Sequence, residues 1–187
     1  MNMLHNRYCA SEKWESLMVG EVLPWVLDGV DLDGSTLEIG PGPGLVTAAL
    51  VRYGVENLTT LEVDRAAADR LRRHYGPRVT VVTGDASDMP FGEASFATVV
   101  CCTMLHHVPT AEGQDAVLRE SMRVLRPGGV LAGSDSRISL RLRLFHLFDT
   151  FNPVDPEVLP HRLEAAGFAS VEVDAVEGRF RFRAAKG

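Results

Sequence analysis

Three groups of residues in this sequence have types and spacing suited to chemistry. The first is the run Glu38-Ile39-Gly40-Pro41-Gly42-Pro43-Gly44. Its glycines let a ligand approach the backbone, and its prolines bar it from a helix interior or a strand ladder. A helix starting directly after such a run favours an anionic group at its N-terminus. The second is Glu62, 22 residues after Gly40. A carboxylate at that separation can accept two hydrogen bonds from a ribose diol, as the acid about 20 residues on does in nucleotide-binding folds. Asp64 is the competing acid. The third is Thr83-Gly84-Asp85-Ala86. There Asp85 offers an acceptor to an adenine amino group, and the Ala86 N–H a donor to the ring. The plainer reading is a ligand-free glycine turn with two solvated loop acids. The dinucleotide fingerprint G-x-G-x-x-G fits in neither register, because its last position falls on Leu45 or Thr47. A NAD or FAD site is therefore disfavoured.

These groups need elements to position them, and the chain alternates strand and helix signals. Residues 11–28 are helical in pattern, with Trp14, Leu17, Met18 and Val22 at helical spacing and Pro24 splitting or kinking the run. Strands are expected at 36–39, 58–63, 79–83, 96–102 and 130–133. Helices are expected at 45–53, 65–75 and 112–125, the last stopped by Pro127-Gly128-Gly129. Apolar strands separated by helices make a parallel sheet covered on both faces. The ending differs. Residues 156–166 read as a helix closed by Gly167, and 171–176 and 179–183 flank Glu177-Gly178 as a hairpin. Each glycine loop or acid above then falls just after a strand, where open α/β sheets bind ligands.

Composition narrows the classes. The chain has 187 residues, 45% hydrophobic and 24% charged, which fits one globular domain and excludes a disordered or fibrous chain. Nineteen basic against 25 acidic residues give a net charge of −6. That lacks the basic excess of a nucleic-acid binder. Cys9, Cys101 and Cys102 form neither a disulfide framework nor a zinc pattern, so no metal is expected. No signal peptide or membrane-length apolar run is evident, and a soluble cytoplasmic protein without stable membrane insertion is the expectation.

Residues 36–135 resemble a class I S-adenosylmethionine-dependent methyltransferase. The matching segments are LEIGPGPG (37–44), LEVD (61–64), TGDASDMPF (83–91), TMLHHV (103–108) and RESMRVLRPGGVL (119–131), in the family's order. The resemblance is closest to small-molecule methyltransferases similar to those of quinone biosynthesis. It implies an α/β, Rossmann-like doubly wound sheet, mostly parallel, with a C-terminal antiparallel hairpin and helices on both faces. The whole chain, 1–187, would be one domain. It would comprise an N-terminal helical cap (1–30), a cofactor-binding core (34–135), an acceptor-side lid with helices (136–168) and a closing hairpin (169–187). The cofactor would be S-adenosyl-L-methionine, leaving as S-adenosyl-L-homocysteine. Glu38, Gly40, Pro41, Gly42 and Gly44 would contact its methionine part, Glu62 its ribose hydroxyls, and Asp85 and Ala86 its adenine, with Met89 or a neighbour on the ring; Val63 would also be a cofactor-binding residue. Cys102 would offer its backbone carbonyl to the amino group, while the Cys101 and Cys102 thiols stay structural.

The resemblance also directs attention to His106 and His107, next to the expected methyl donor. A reference pKa of about 6.5 suits a general base, although one histidine of such a pair often only packs locally. Residues 136–151 place Ile138, Leu142, Phe145 and Phe148 at helical spacing with Arg137 and Arg141 one turn apart. They read as an apolar lid toward an apolar or anionic acceptor, or as an ordinary amphipathic helix. His146 is a weaker base candidate, and Tyr8 and Trp14 are candidates to cap the cofactor. Arg179-Phe180-Arg181-Phe182-Arg183 reads as a strand burying its phenylalanines with its arginines solvated. The expected function is methyl transfer to a small-molecule acceptor by in-line displacement. The alternative is a cofactor-binding protein with a non-methylating catalytic or regulatory role. The acceptor atom and the oligomeric state are open at this point.

Overall fold

The computed structural model describes residues 11–138 and 150–187. Its strands are β1 Thr36–Ile39, β2 Leu58–Glu62, β3 Thr80–Thr83, β4 Phe96–Cys102, β5 Leu125–Ser136, β6 Ser170–Val176 and β7 Arg179–Ala185. They form one seven-stranded sheet in the order β3-β2-β1-β4-β5-β7-β6. β1 to β5 pair in parallel, and β7 pairs antiparallel with both β5 and β6. The order reverses between β1 and β4, so the C-terminal ends of these neighbours border the crevice where such sheets take ligands.

The helices are α1 Glu12–Leu17, α2 Leu23–Val26, α3 Leu45–Arg52, α4 Arg65–Tyr75, α5 Ala111–Val124 and α6 Leu159–Ala165. They cover both faces. One core joins Leu37, Ile39, Leu61 and Val99 to Val117 and Leu118 of α5 and Leu159 and Leu163 of α6. The other joins Val100, Cys102 and Ala132 to Met18 and Val22, to Ala49 and Leu50 of α3, and to Leu71 and Tyr75 of α4. α4 shows how local chemistry sets an element. Asp64 accepts the Ala67 N–H at 2.6 Å, Ala67, Ala68, Leu71 and Tyr75 are buried at helical spacing, and Arg72, Arg73 and His74 lie in the last turn. Among the described residues no helix is long and apolar enough to cross a membrane.

Three elements differ from expectation. Pro24 brings a π-helical stretch, Met18–Val22, between α1 and α2 rather than a simple kink. Pro24 has no N–H to donate to the carbonyl four residues back, and the Leu23 N–H instead bonds Met18 O, five back. The fifth strand starts directly at the end of α5 and includes Pro127-Gly128-Gly129, because the far end of β7 supplies partners there: the Gly128 N–H bonds Lys186 O and the Lys186 N–H bonds Gly129 O, each at 2.9 Å. The helix expected from 156 begins at Leu159, since Asp155 first closes a turn that takes the Glu157 N–H on its side chain and the Val158 and Leu159 N–H groups on its carbonyl.

β7 buries Phe180 and Phe182 as its alternation requires, each contributing about 1.5–3 kcal/mol of apolar burial. Its arginines, however, are not simply solvated. The Arg181 guanidinium donates to Trp25 O at 2.5 Å, pairs with Asp174 at 2.8 Å and lies 5.2 Å from the Trp25 ring centroid. Arg183 donates to Asp28 O. The last carbonyls of a helix have no intrahelical partner and carry partial negative charge, so cations from the neighbouring strand complete them. The N-terminal helix is thereby bolted to the sheet. Arg181→Ala is expected to lower the unfolding free energy by about 1.5–3 kcal/mol, read from urea denaturation at neutral pH. A change below about 0.5 kcal/mol would show the contact to be idle.

Candidate functional site

The turn after β1 closes by the Gly44 N–H bonding Pro41 O at 2.9 Å. Gly40 and Gly42 have φ of +67° and +54°, the left-handed region. At Gly40 space is also decisive, because an added Cβ would lie 2.3 Å from Met104 Cγ. At Gly42 nothing among the described residues lies within 4 Å of such a Cβ, so this side of the loop is open to them. Pro41 is buried, and Gly44 forms the N-cap of α3 without a side chain to bond its N–H groups.

Glu38 supplies part of what Gly44 lacks. Its Oε2 accepts the Thr47 hydroxyl at 2.6 Å in the first turn of α3. Glu38 is only 2% exposed. Burial pushes its carboxyl from the usual 4.5 up to about 8, against the Thr47 hydroxyl and with a smaller push from Glu62. Glu62 ends β2 at 6% exposed. Its Oε2 accepts the Gly42 N–H and its Oε1 the Asp64 N–H, both at 2.9 Å. A carboxylate has about four acceptor positions, so each oxygen retains one. The two competing acids thus divide the work: Asp64 caps α4, while Glu62 grips the glycine loop. Val63, between them, is 70% exposed.

Asp85 follows β3 and is exposed, with Oδ1 accepting the Ser87 N–H and hydroxyl at 2.8 Å each. The Gly84 N–H bonds Glu62 O at 3.0 Å, which ties this turn to the end of β2. Ala86 is half-buried. Met89 is 4% exposed and packs in the core. Cys101 and Cys102 belong to opposite cores. Burial raises both thiols, Cys102 to about 12 with the neighbouring Ser134 hydroxyl pulling the other way, so neither is a thiolate near neutrality. Thr103, next in chain, has φ +51° without being glycine, and its N–H bonds Ser134 O at 2.7 Å. Strain of this kind clusters at functional turns.

His106 and His107 lie in a 3₁₀ turn, Leu105–His107, with ring centroids 4.1 Å apart. His106 Nδ1 is 2.5 Å from Asp135 Oδ1, and the His106 N–H donates to Asp135 Oδ2 at 3.1 Å. The Ser136 N–H adds a bond of 2.7 Å to Oδ1. Both side chains are nearly buried, so the pair is held in one arrangement. A frame surrounds it. Gln114 Nε2 donates to Leu105 O at 2.9 Å and Asn152 O at 2.8 Å, and the Asn152 N–H donates to His106 O at 2.8 Å. Arg162 holds Gln114 Oε1 at 3.0 Å and Asp115 at 2.7 Å.

Sequence reasoning missed Asp135 and Gln114. An acid closing the apolar fifth strand is a signal for Asp135; nothing local singles out Gln114. Trp14 is half-buried and lines a small cavity beside Thr103 and Asp135. Arg137 and Ile138 are described, the Arg137 N–H bonding Gly178 O at 3.0 Å. Tyr8, Cys9, His146 and the expected lid residues Arg141, Leu142, Phe145 and Phe148 lie outside the described residues.

This strand order, with a glycine turn after β1 and an acid ending β2 at the switch point, defines the Rossmann-like nucleotide-binding class. The chain belongs to the methyltransferase domain family, whose model matches residues 37–133, just over half of its length. It is 35% identical over 104 residues to 27-O-demethylrifamycin SV methyltransferase of Amycolatopsis mediterranei, covering 53% of this chain and 37% of that protein. It is 36% identical over 113 residues to phthiotriol/phenolphthiotriol dimycocerosates methyltransferase 1 of Mycobacterium ulcerans, covering 59% and 41%. The chain therefore spans less than half the length of these curated relatives. Among solved structures, the PH0226 protein of Pyrococcus horikoshii superposes with TM-score 0.80 at 16% identity over 96% of this chain and 94% of that one. PigF with SAH gives TM-score 0.66 at 23% identity over 94% and 58%.

Glu38 generates a prediction about pH. Its folded pKa of about 8 lies above the ordinary 4.5, so the stability it confers is full below pH 4.5 and is lost as pH rises to about 8. Glu38→Gln keeps the hydrogen-bonding shape without the charge. Urea denaturation at pH 5 and pH 9 is expected to show wild type losing stability relative to this variant. The loss is roughly 1.4 kcal/mol for each tenfold change in the acid dissociation constant between the unfolded and folded chain. Parallel pH profiles would disprove the ionisation.

Proposed function

We propose that this chain is an S-adenosylmethionine-dependent methyltransferase acting on a small-molecule acceptor. The observation that carries the reading is Glu62: both oxygens are anchored by backbone N–H groups, and each retains an acceptor position beside the open side of the glycine loop. That pair of acceptor positions suits the ribose diol of the cofactor, whose hydroxyls donate. Glu38, Gly40, Pro41, Gly42 and Gly44 would hold the methionine part, Val63, Asp85 and Ala86 the adenine, and the Cys102 carbonyl the amino group. When bound, the cofactor supplies a methyl group already activated on a sulfonium, so the chain has two tasks left.

The first task is orientation, which lowers a barrier by up to about 7–11 kcal/mol when the reacting groups are held in line. The Glu62–Gly42 bond and the frame around residues 105–108 serve it. The second is removal of the acceptor's proton. Asp135 takes the Nδ1–H of His106, which puts the accepting lone pair on Nε2 and stabilises the imidazolium formed there. His107, ring against ring with His106, is the other candidate base. A small-molecule acceptor is supported by relatives named for a demethylrifamycin and for phthiotriol dimycocerosates. The acidic balance of the chain argues in the same direction against a nucleic-acid substrate. The free buried thiols of Cys101 and Cys102 support a cytoplasmic setting.

Calorimetric titration of S-adenosylhomocysteine tests the site, with NAD as the control. Glu62→Ala is expected to weaken binding by about 1.5–3 kcal/mol, roughly ten- to a hundredfold. Absence of binding to wild type would overturn the reading. Transfer of labelled methyl from the cofactor to a panel of small alcohols, acids and amines tests the reaction. His106→Ala is expected to lower turnover by about 10²–10⁴-fold while S-adenosylhomocysteine affinity stays near wild type. Unchanged turnover in His106→Ala would remove it from the chemistry and leave His107 to be tested the same way.

A further inference from the structure

A cavity of about 120 Å³ lies between the N-terminal helix, the ends of β4 and β5 and the β6–β7 turn. One wall is apolar, from Trp14, Leu17, Met18 and Val22. The other is polar and includes Ser134, Asp135 and Arg179. Asp135 has no demand left to meet, because His106 Nδ1, the His106 N–H and the Ser136 N–H already donate to it. Ser134 differs. It is 2% exposed, lies beside the Cys102 thiol and makes no hydrogen bond of normal geometry. A buried hydroxyl left in that state destabilises the fold unless a ligand satisfies it.

Arg179 is the other unmet group. Arg179, Arg181 and Arg183 alternate on β7 and share the face toward the N-terminal helix. Arg181 and Arg183 donate to the helix carbonyls of Trp25 and Asp28, the Arg183 Nε having no hydrogen-bond partner among the described residues. Among the described residues Arg179 has a single ion-pair neighbour, Glu21, at 4.0 Å, and that glutamate's side chain is 72% exposed. A solvated pair at this distance is weak. β5 and β7 pair Ser136 with Arg179 and Ser134 with Arg181. Ser134 and Arg179 are therefore diagonal neighbours, roughly 7–8 Å apart in backbone. A carboxylate fits that interval, accepting the Ser134 hydroxyl on one oxygen and the Arg179 guanidinium on the other. An apolar cavity of about 150 Å³ holds a benzene, so this one holds the carboxylate with a short apolar body.

We propose that this cavity selects acceptors carrying a carboxylate on a small apolar body, with Arg179 and Ser134 as the specificity-determining residues. The proposal rests on the methyltransferase reading, since it treats the cavity, lined by the Asp135 that holds His106, as the acceptor's seat.

The test is a chemical-shift titration of the full chain, with and without S-adenosylhomocysteine, using isovalerate and its uncharged counterpart isovaleramide. Isovalerate is expected to bind about tenfold more tightly than isovaleramide, with shifts centred on the Trp14 indole and the Gly178 amide. Arg179→Gln is expected to abolish that preference, and Ser134→Ala to reduce it. Glu21→Gln removes the competing carboxylate at an exposed position and is expected to tighten isovalerate by about threefold. It carries the test if Arg179→Gln does not fold. S-adenosylhomocysteine affinity is expected to stay the same in all three variants. Equal binding of the two probes, no binding of isovalerate, or a preference that survives Arg179→Gln would overturn the proposal. Failure of S-adenosylhomocysteine to bind any form, with the isovalerate preference intact, would overturn the methyltransferase reading and leave the carboxylate site standing.

Discussion

The Glu62 carboxylate accepts the Gly42 and Asp64 N–H groups at 2.9 Å each, and the organisation of the site depends on this one fork. It joins the glycine turn after β1 to the start of α4, two segments separated by an intervening helix and strand. A turn with positive φ at Gly40, Gly42 and Gly44 has little of its own to hold it in one shape. Glycine has the largest backbone entropy to lose, and a charged acceptor at the centre of the turn offsets part of that loss. The same acid is the group best suited to a ribose diol. In the proposed function, structural and binding demands fall on one side chain.

The polar groups on the far side of the switch point follow a different logic. Asp135 and His106 are both nearly buried, so each must be partnered or it costs several kcal/mol. Asp135 takes three donors and thereby orients the imidazole. Around it, Gln114 and Asn152 satisfy the carbonyls of residues 105, 106, 108 and 152, and Arg162 holds the Gln114 amide oxygen. The turn carrying the histidines is short and 3₁₀, with few bonds of its own. Its precision is imported from α5, α6 and the segment after residue 150.

The N-terminal helix is held by contacts that depend on charge rather than on apolar burial alone. Arg181 and Arg183 reach its last carbonyls from β7, the strand inserted between β5 and β6. The closing hairpin therefore does more than complete the sheet. It positions the helix wall of the cavity that also contains Asp135 and Arg179.

The sequence by itself determined the strand–helix alternation, the sheet class with its closing hairpin, and the positions of the glycine turn, Glu62, Asp85 and the paired histidines. These are local signals: apolar runs, glycine and proline chemistry, and acids at strand ends. The choice between Glu62 and Asp64 was open in the sequence, because both are carboxylates at the same strand end. Only the tertiary structure separates their contacts: Asp64 meets the Ala67 N–H, whereas Glu62, the acid proposed to bind the ribose, meets Gly42. Gln114 and Arg162 were invisible for a related reason: their partners lie 9 and 48 residues away, and no periodicity encodes which distant group a side chain will reach. Asp135 had a signal in its place at the end of an apolar strand, but its pairing with His106, 29 residues away, did not. The arginines of β7 were legible as an alternating face but not as helix caps, because a free carbonyl exists only once the helix has ended beside them. Sequence pattern fixes which face a residue occupies; what faces it is decided when the sheet and helices close around a shared core.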